Sequence, residues 1–134
     1  MSLADFFNVQ RQVTNNAESV PSLVDEVVQY LVAHPAQDEF FPATVAASLR
    51  RSELLMLVAF GELDDRGVVM PIYITYCRDH AYPLGEYPSR EAVPEEEHCE
   101  IGDHDVALAN ETMYFEVAFR VNRTALNAFQ KAAA

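Results

Sequence analysis

The stretch Ala43–Val69, "ATVAASLRRSELLMLVAFGELDDRGVV", decides how this chain folds, because two helices and the start of a strand follow one another in it. Pro42, just ahead of it, suits a first helical turn, where the N–H that proline lacks would have no acceptor anyway. Val45, Ala46 and Leu49 then make a short apolar face. After Arg50 and Arg51, Ser52 is placed to cap the next segment by accepting a hydrogen bond from a free backbone N–H. The spacing of Leu54, Leu55, Val58 and Leu63 predicts these residues as the inward face of that helix. Gly67 stands where a left-handed residue commonly ends a helix. Directly after the helix, "VVMPIYITYC" (68–77) is rich in β-branched and aromatic residues and reads as a strand ending at Cys77, with Pro71 restricting its start to an edge or a bulge.

Upstream, "VPSLVDEVVQYLVAHP" (20–35) repeats apolar pairs every four residues, Leu23 and Val24, Val27 and Val28, Leu31 and Val32, which is the stripe of an amphipathic helix. Ser22 is its expected cap, Pro35 its stop, and His34 is expected to serve the helix C-terminus. Further back, "SLADFFNVQRQV" (2–13) spaces Leu3, Phe6, Phe7 and Val13 roughly along one helical face. That helix is too apolar to lie free, so Leu3, Phe6 and Phe7 are the expected partner contact, with a second copy of the chain as one candidate partner. Downstream, "TMYFEVAFRVNR" (112–123) alternates: Met113, Phe115, Val117, Phe119 and Val121 are expected inward and the residues between them wet. "TALNAFQKAAA" (124–134) reads as a short closing helix capped by Thr124, with Leu126 and Phe129 inward. The class that results is α+β.

A chain of 134 residues, half of them hydrophobic, fits one domain or two small ones sharing a core. It contains no low-complexity tract, no repeat and no run near eighteen apolar residues, and its first ten residues lack the basic start and apolar stretch of a secretion signal. A cytoplasmic location is therefore expected, with no membrane partner. The net charge of −12 is uneven, since residues 77–116 alone hold eleven Asp/Glu against two Arg. Such a surface repels phosphate, which argues against nucleic acid as a partner of this half.

Both cysteines and three of the four histidines fall between Cys77 and His104. Zinc takes four nitrogen or sulfur donors in a tetrahedron, and tight turns at strand ends supply them two at a time. Cys77 and His80 have the two-residue gap of such a knuckle; Cys99 with His104 makes a wider second pair, and His98 is an alternative fourth donor. Two other readings stay open: an empty pair of turns with both cysteines buried as small apolar groups, and a redox pair of Cys77 with Cys99. Zinc held by Cys77, His80, Cys99 and His104 is the expected cofactor, and it is structural, because four filled positions leave none for water. The stretch "EEEH" (95–98) is expected as a solvated acidic turn. "HCE" (98–100) lacks the Pro-Cys-x-x-Cys that would make it a deaminase motif, and the chain has no phosphate-binding glycine loop, metalloprotease helix motif or nucleophile elbow.

The order helix, short helix, helix, strand over residues 20–76 resembles a winged-helix domain, with "GELDDRGVV" (61–69) as the exit toward the wing. From Tyr73 onward, "YITYCRDHAYPLGEYPSREAVPEEEHCEIGDHDVALANETMYFEVAFRV" looks like a zinc ribbon, with His80 where such modules more often have cysteine and Gly102 where a further cysteine often stands. The resemblance implies an N-terminal helix (1–19), a winged-helix-like part (20–76), a ribbon-like β module (77–123) and a closing helix (124–134), a layout similar to small accessory proteins of bacterial conflict and defence systems. No catalytic constellation accompanies it. The expectation is a non-enzymatic, acidic adaptor that contacts another protein. Its rivals are a winged-helix transcription regulator using Arg50, Arg51 and Arg66, an inhibitor covering a basic partner with its acidic 86–111 region, and a metalloenzyme with an open zinc position.

Overall fold

The computed structural model describes residues 20–133, so the expected N-terminal helix with Leu3, Phe6 and Phe7 lies outside the described residues. The first helix, α1 (Val20–Ala33), buries Leu23, Val24, Val27, Val28 and Leu31, while Val32 turns outward. Ser22 lies within α1 and does not cap it. His34, just past the helix, donates from Nδ1 to the Tyr30 carbonyl at 2.7 Å, serving a C-terminal carbonyl that the helix itself leaves free.

A two-residue strand, β1 (Glu39–Phe40), leads into α2 (Pro42–Leu49), which buries Pro42, Val45 and Ala46 and ends on a left-handed Arg50. The next helix, α3 (Glu53–Asp65), begins with the Leu55 N–H donating to Ser52 Oγ at 3.5 Å, and Gly67 beyond its end takes φ +74°. Its inward face matches the expected one at Leu63 and in part at Leu55, but differs at Leu54 and Val58. Met56, Ala59, Phe60 and Leu63 are fully buried, while Leu54 is 62% and Val58 45% exposed. "LLMLVAF" (54–60) is apolar on every side, so spacing alone does not choose among faces; the large Met56 and Phe60 side chains settle it by filling the space against α1 and the sheet.

The strands β2 (Val69–Cys77), β3 (Tyr82–Tyr87) and β6 (Met113–Val121) join β1 in one antiparallel sheet of order β1-β6-β2-β3. Between β3 and β6 in the chain, β4 (Glu96–Cys99) and β5 (His104–Ala107) form a separate two-stranded hairpin. The fold is α+β. β2 and β6 pair without interruption from Val69↔Val121 to Cys77↔Met113, so the long final strand shares a sheet with β1 as well as with β2. Pro71 sits where β3 no longer reaches and β2 has a neighbour on one side only, which is where a strand tolerates a missing N–H.

One face of this sheet carries both main cores. At one end, Val69, Phe119 and Val121 meet the helices; at the other, Cys77 and Met113 meet Cys99 and Val106 of the β4–β5 hairpin. The opposite face is drier than the expected wet one. Ala118 is fully buried there in a cluster with Ile72 and Ile74, and Arg120 bridges Glu39 and Glu86 across the sheet.

The last helix, α4 (Arg123–Ala133), is capped by Asn122, not Thr124: the Asn122 Oδ1 accepts from the Ala125 N–H at 3.1 Å. Arg123 at its start donates to the carbonyls of Leu31 at 2.8 Å, His34 at 2.9 Å and Gln37 at 2.5 Å. A cation thus meets the negative end of α1 and ties the two helices together.

Candidate metal centre

Two hairpins of similar build aim four donors at one point. In the first, Cys77 ends β2, Arg78–Ala81 form the turn, and Tyr82 opposite Cys77 starts β3. In the second, Cys99 ends β4, Glu100–Asp103 form the turn, and His104 opposite Cys99 starts β5. Each turn closes on a non-glycine residue in the left-handed region, Ala81 and Asp103, both at φ 48°. Such a turn is tight enough to bring His80 back over Cys77. In β3, Thr75 faces Gly85 while Tyr76 faces Pro83, so Leu84 is left without a partner and packs into the small core beneath the cysteines.

The ligand atoms of Cys77, His80, Cys99 and His104 all lie within 4.8 Å of one another, so this group could hold a metal ion. Cys77 Sγ is 3.3 Å from His80 Nδ1 and 3.7 Å from His104 Nε2, and Cys99 Sγ is 3.6 Å from His80 Nδ1. Zinc–sulfur bonds of about 2.3 Å and zinc–nitrogen bonds of about 2.0–2.1 Å at the tetrahedral angle put neighbouring S and N about 3.5–3.6 Å apart. The observed separations bracket that value. Both sulfurs are fully buried and both thiols are free, while His80 is exposed and His104 half-buried. The donor group is therefore anchored from inside by sulfur and closed from outside by imidazole.

Gly102 stands where ribbon modules often have a further cysteine, and a Cβ there would sit 2.4 Å from His104 Cε1, 2.5 Å from His104 Nδ1 and 2.7 Å from His80 Cε1. The two imidazoles, stacked with centroids 5.6 Å apart, occupy the space that any side chain at 102 would need.

His98, the alternative fourth donor, is not in the group. Its Nδ1 is 2.9 Å from Asp105 Oδ1 and its Nε2 3.1 Å from Asp103 Oδ1, and the hydrogen bond to Asp105, helped by the one to Asp103, raises its pKa. Nor does the Glu95–Glu97 run supply a ligand. The Glu97 carboxylate accepts from Thr75 Oγ1 at 2.8 Å and from the Tyr87 hydroxyl at 2.6 Å, which fastens β4 onto β2 and β3. That hydrogen bond pushes the Tyr87 phenol up to about 12, with burial adding to it. Thr75 is the buried polar side chain of the sheet, and its alternation with Cys77 on one face of β2 was the signal available in the sequence.

The basic residues singled out in the sequence, Arg50, Arg51 and Arg66, each have a local partner or backbone role. Arg51 pairs with Glu26 at 2.9 Å and Arg66 lies over the Phe129 ring at 5.5 Å, while Arg50 is the left-handed cap of α2. Among the described residues, no helix is long and apolar enough to cross a membrane. No family model, curated protein or solved structure matches the chain.

Proposed function

We propose that this chain is a non-enzymatic protein-contact module whose β end is locked by a structural zinc ion on Cys77, His80, Cys99 and His104. The observation that carries the reading is the convergence of two buried sulfurs and two imidazoles within 4.8 Å. Two thiolates and two imidazoles suit zinc better than a hard cation, which prefers oxygen, and four protein donors leave no position for an activated water. The ion's part is to hold together two hairpins whose shared core is otherwise small: Cys77, Cys99, Val106 and Met113, with Leu84 and Leu108 beside them. Free thiols in such a site fit the cytoplasm.

The helical half supports a winged-helix-like scaffold. Its order, α1, β1, α2, α3, β2, β6, with strands arranged β1-β6-β2, suits that reading, and the metal hairpins then form an elaborated wing. On this scaffold α3 would be the helix presented to a partner. Its outward residues are Leu54, Leu57 and Val58 with acidic neighbours, which favours protein over DNA. Service in a bacterial defence system rests on the layout alone.

Elemental analysis of protein purified without added metal tests the reading. One equivalent of zinc, lost in Cys77→Ser and Cys99→Ser together with thermal stability, is the expected result, because binding energy at such a site is folding energy. Metal-free protein of unchanged stability would overturn it.

A further inference from the structure

The outward side of α3 carries Leu54, Leu57, Val58 and Gly61, positions i, i+3, i+4 and i+7, directly opposite the core-facing Met56, Phe60 and Leu63. Leu54 is 62% exposed and Leu57 and Val58 are each 45% exposed, three large apolar side chains in one strip. A methyl added at Gly61 would touch nothing within 4 Å, so the strip is open there and a second backbone could approach closely. Leu57 also lines a groove of about 420 Å³ shared with Phe41, Pro42, Val117 and the carboxylates Glu53 and Glu116.

Charge decides what the strip would accept. α3 itself contributes Glu53, Glu62, Asp64 and Asp65. Of the nearby cations, Arg51 is paired with Glu26, and Arg50 and Arg66, the latter over the Phe129 ring, are outnumbered by these four carboxylates. A second copy laid against this face would set two rows of carboxylates against each other, and a phosphate backbone would be repelled. We propose that the outward face of α3 and its adjoining groove dock an amphipathic helix of another protein, one that presents apolar side chains at helical spacing flanked by lysine or arginine. The apolar strip supplies the contact, and the acidic rim selects a basic partner. This deepens the protein-contact part of the function proposed above and does not depend on the zinc ion.

The full chain, shown by elemental analysis to carry its metal, is titrated with an eighteen-residue synthetic helix having leucine on one face and lysine elsewhere, and with its twin carrying glutamate for lysine. Amide shifts in two-dimensional NMR locate the binding. Shifts centred on Leu54–Gly61, at least tenfold weaker binding of the glutamate twin and of the lysine peptide to Leu57→Asp, and an unchanged circular dichroism spectrum for that variant would support the proposal. Shifts concentrated on Glu91–Asp105, or binding indifferent to Leu57→Asp, would overturn it as mere attraction to an acidic protein. Two further results would also overturn it: α3 shifts that depend on protein concentration, which make a second copy the occupant, and α3 shifts produced by Phe6→Glu with Phe7→Glu, which make the chain's own N-terminal segment the occupant. Metal-loaded, folded protein that fails these tests leaves the zinc assignment standing, whereas metal-free protein undoes that assignment and leaves this one intact.

Discussion

Replacing Gly102 by alanine tests the geometry of the metal centre with a single methyl group. Gly102 is not in the left-handed region, so alanine costs nothing in backbone strain, and the whole effect must come from contact with the imidazoles. The new Cβ would lie 2.4–2.7 Å from atoms of His104 and His80, distances that a carbon atom does not tolerate. One ring must swing away. Both rings carry a donor, so the displaced one loses its aim at the centre, and a tenfold to hundredfold loss of zinc affinity is expected, on the order of 1.4–2.7 kcal/mol. Competition against a chromophoric zinc chelator reads the affinity, and circular dichroism reads a lowered melting temperature with helix content retained. Gly61→Ala is the matched control: its Cβ meets nothing within 4 Å inside α3, and alanine there gains up to about 1 kcal/mol in helix propensity. Wild-type zinc affinity in Gly102→Ala would refute the claim that the two histidines are held at that point.

Met56→Ala, which empties a fully buried site in α3, should lower stability by about 2–5 kcal/mol, whereas Leu54→Ala on the outward face should cost under about 1 kcal/mol; urea denaturation compares them. Spectrophotometric titration should show one tyrosine ionising near 12, and Tyr87→Phe should remove it. Because the folded phenol holds its proton above the unfolded value of 10, its contribution to stability is complete below pH 10 and is lost between pH 10 and about 12. Arg123→Met should cost about 1.5–3 kcal/mol in thermal denaturation, since it leaves the carbonyls of Leu31, His34 and Gln37 without their charged donor.

What the sequence disclosed depended on how short-range the signal was. The two Cys/His pairs were legible because each is local: a cysteine at a strand end and a histidine within or just across the turn that follows need no knowledge of the rest of the chain. The stripe of α1 was legible for the same reason, being apolar on one side only. α3 was not, because a helix apolar all round has no preferred face until α1 and the sheet choose one, and the choice left Leu54 and Val58 outside. Arg123 contacts residues about ninety positions away, and the Thr75–Glu97–Tyr87 linkage joins three strands, so neither has a local signature. The competing caps, Thr124 against Asn122, differ by less than the placement of a helix start can be read from composition.

The most direct test of the account is X-ray absorption at the zinc edge on the full chain as purified, with stoichiometry measured on the same sample. The expected result is one zinc per chain with two sulfurs at about 2.3 Å and two nitrogens at about 2.0–2.1 Å, and no bound zinc in Cys99→Ser. A metal-free sample, or a zinc shell made of oxygen and nitrogen without sulfur, would contradict it.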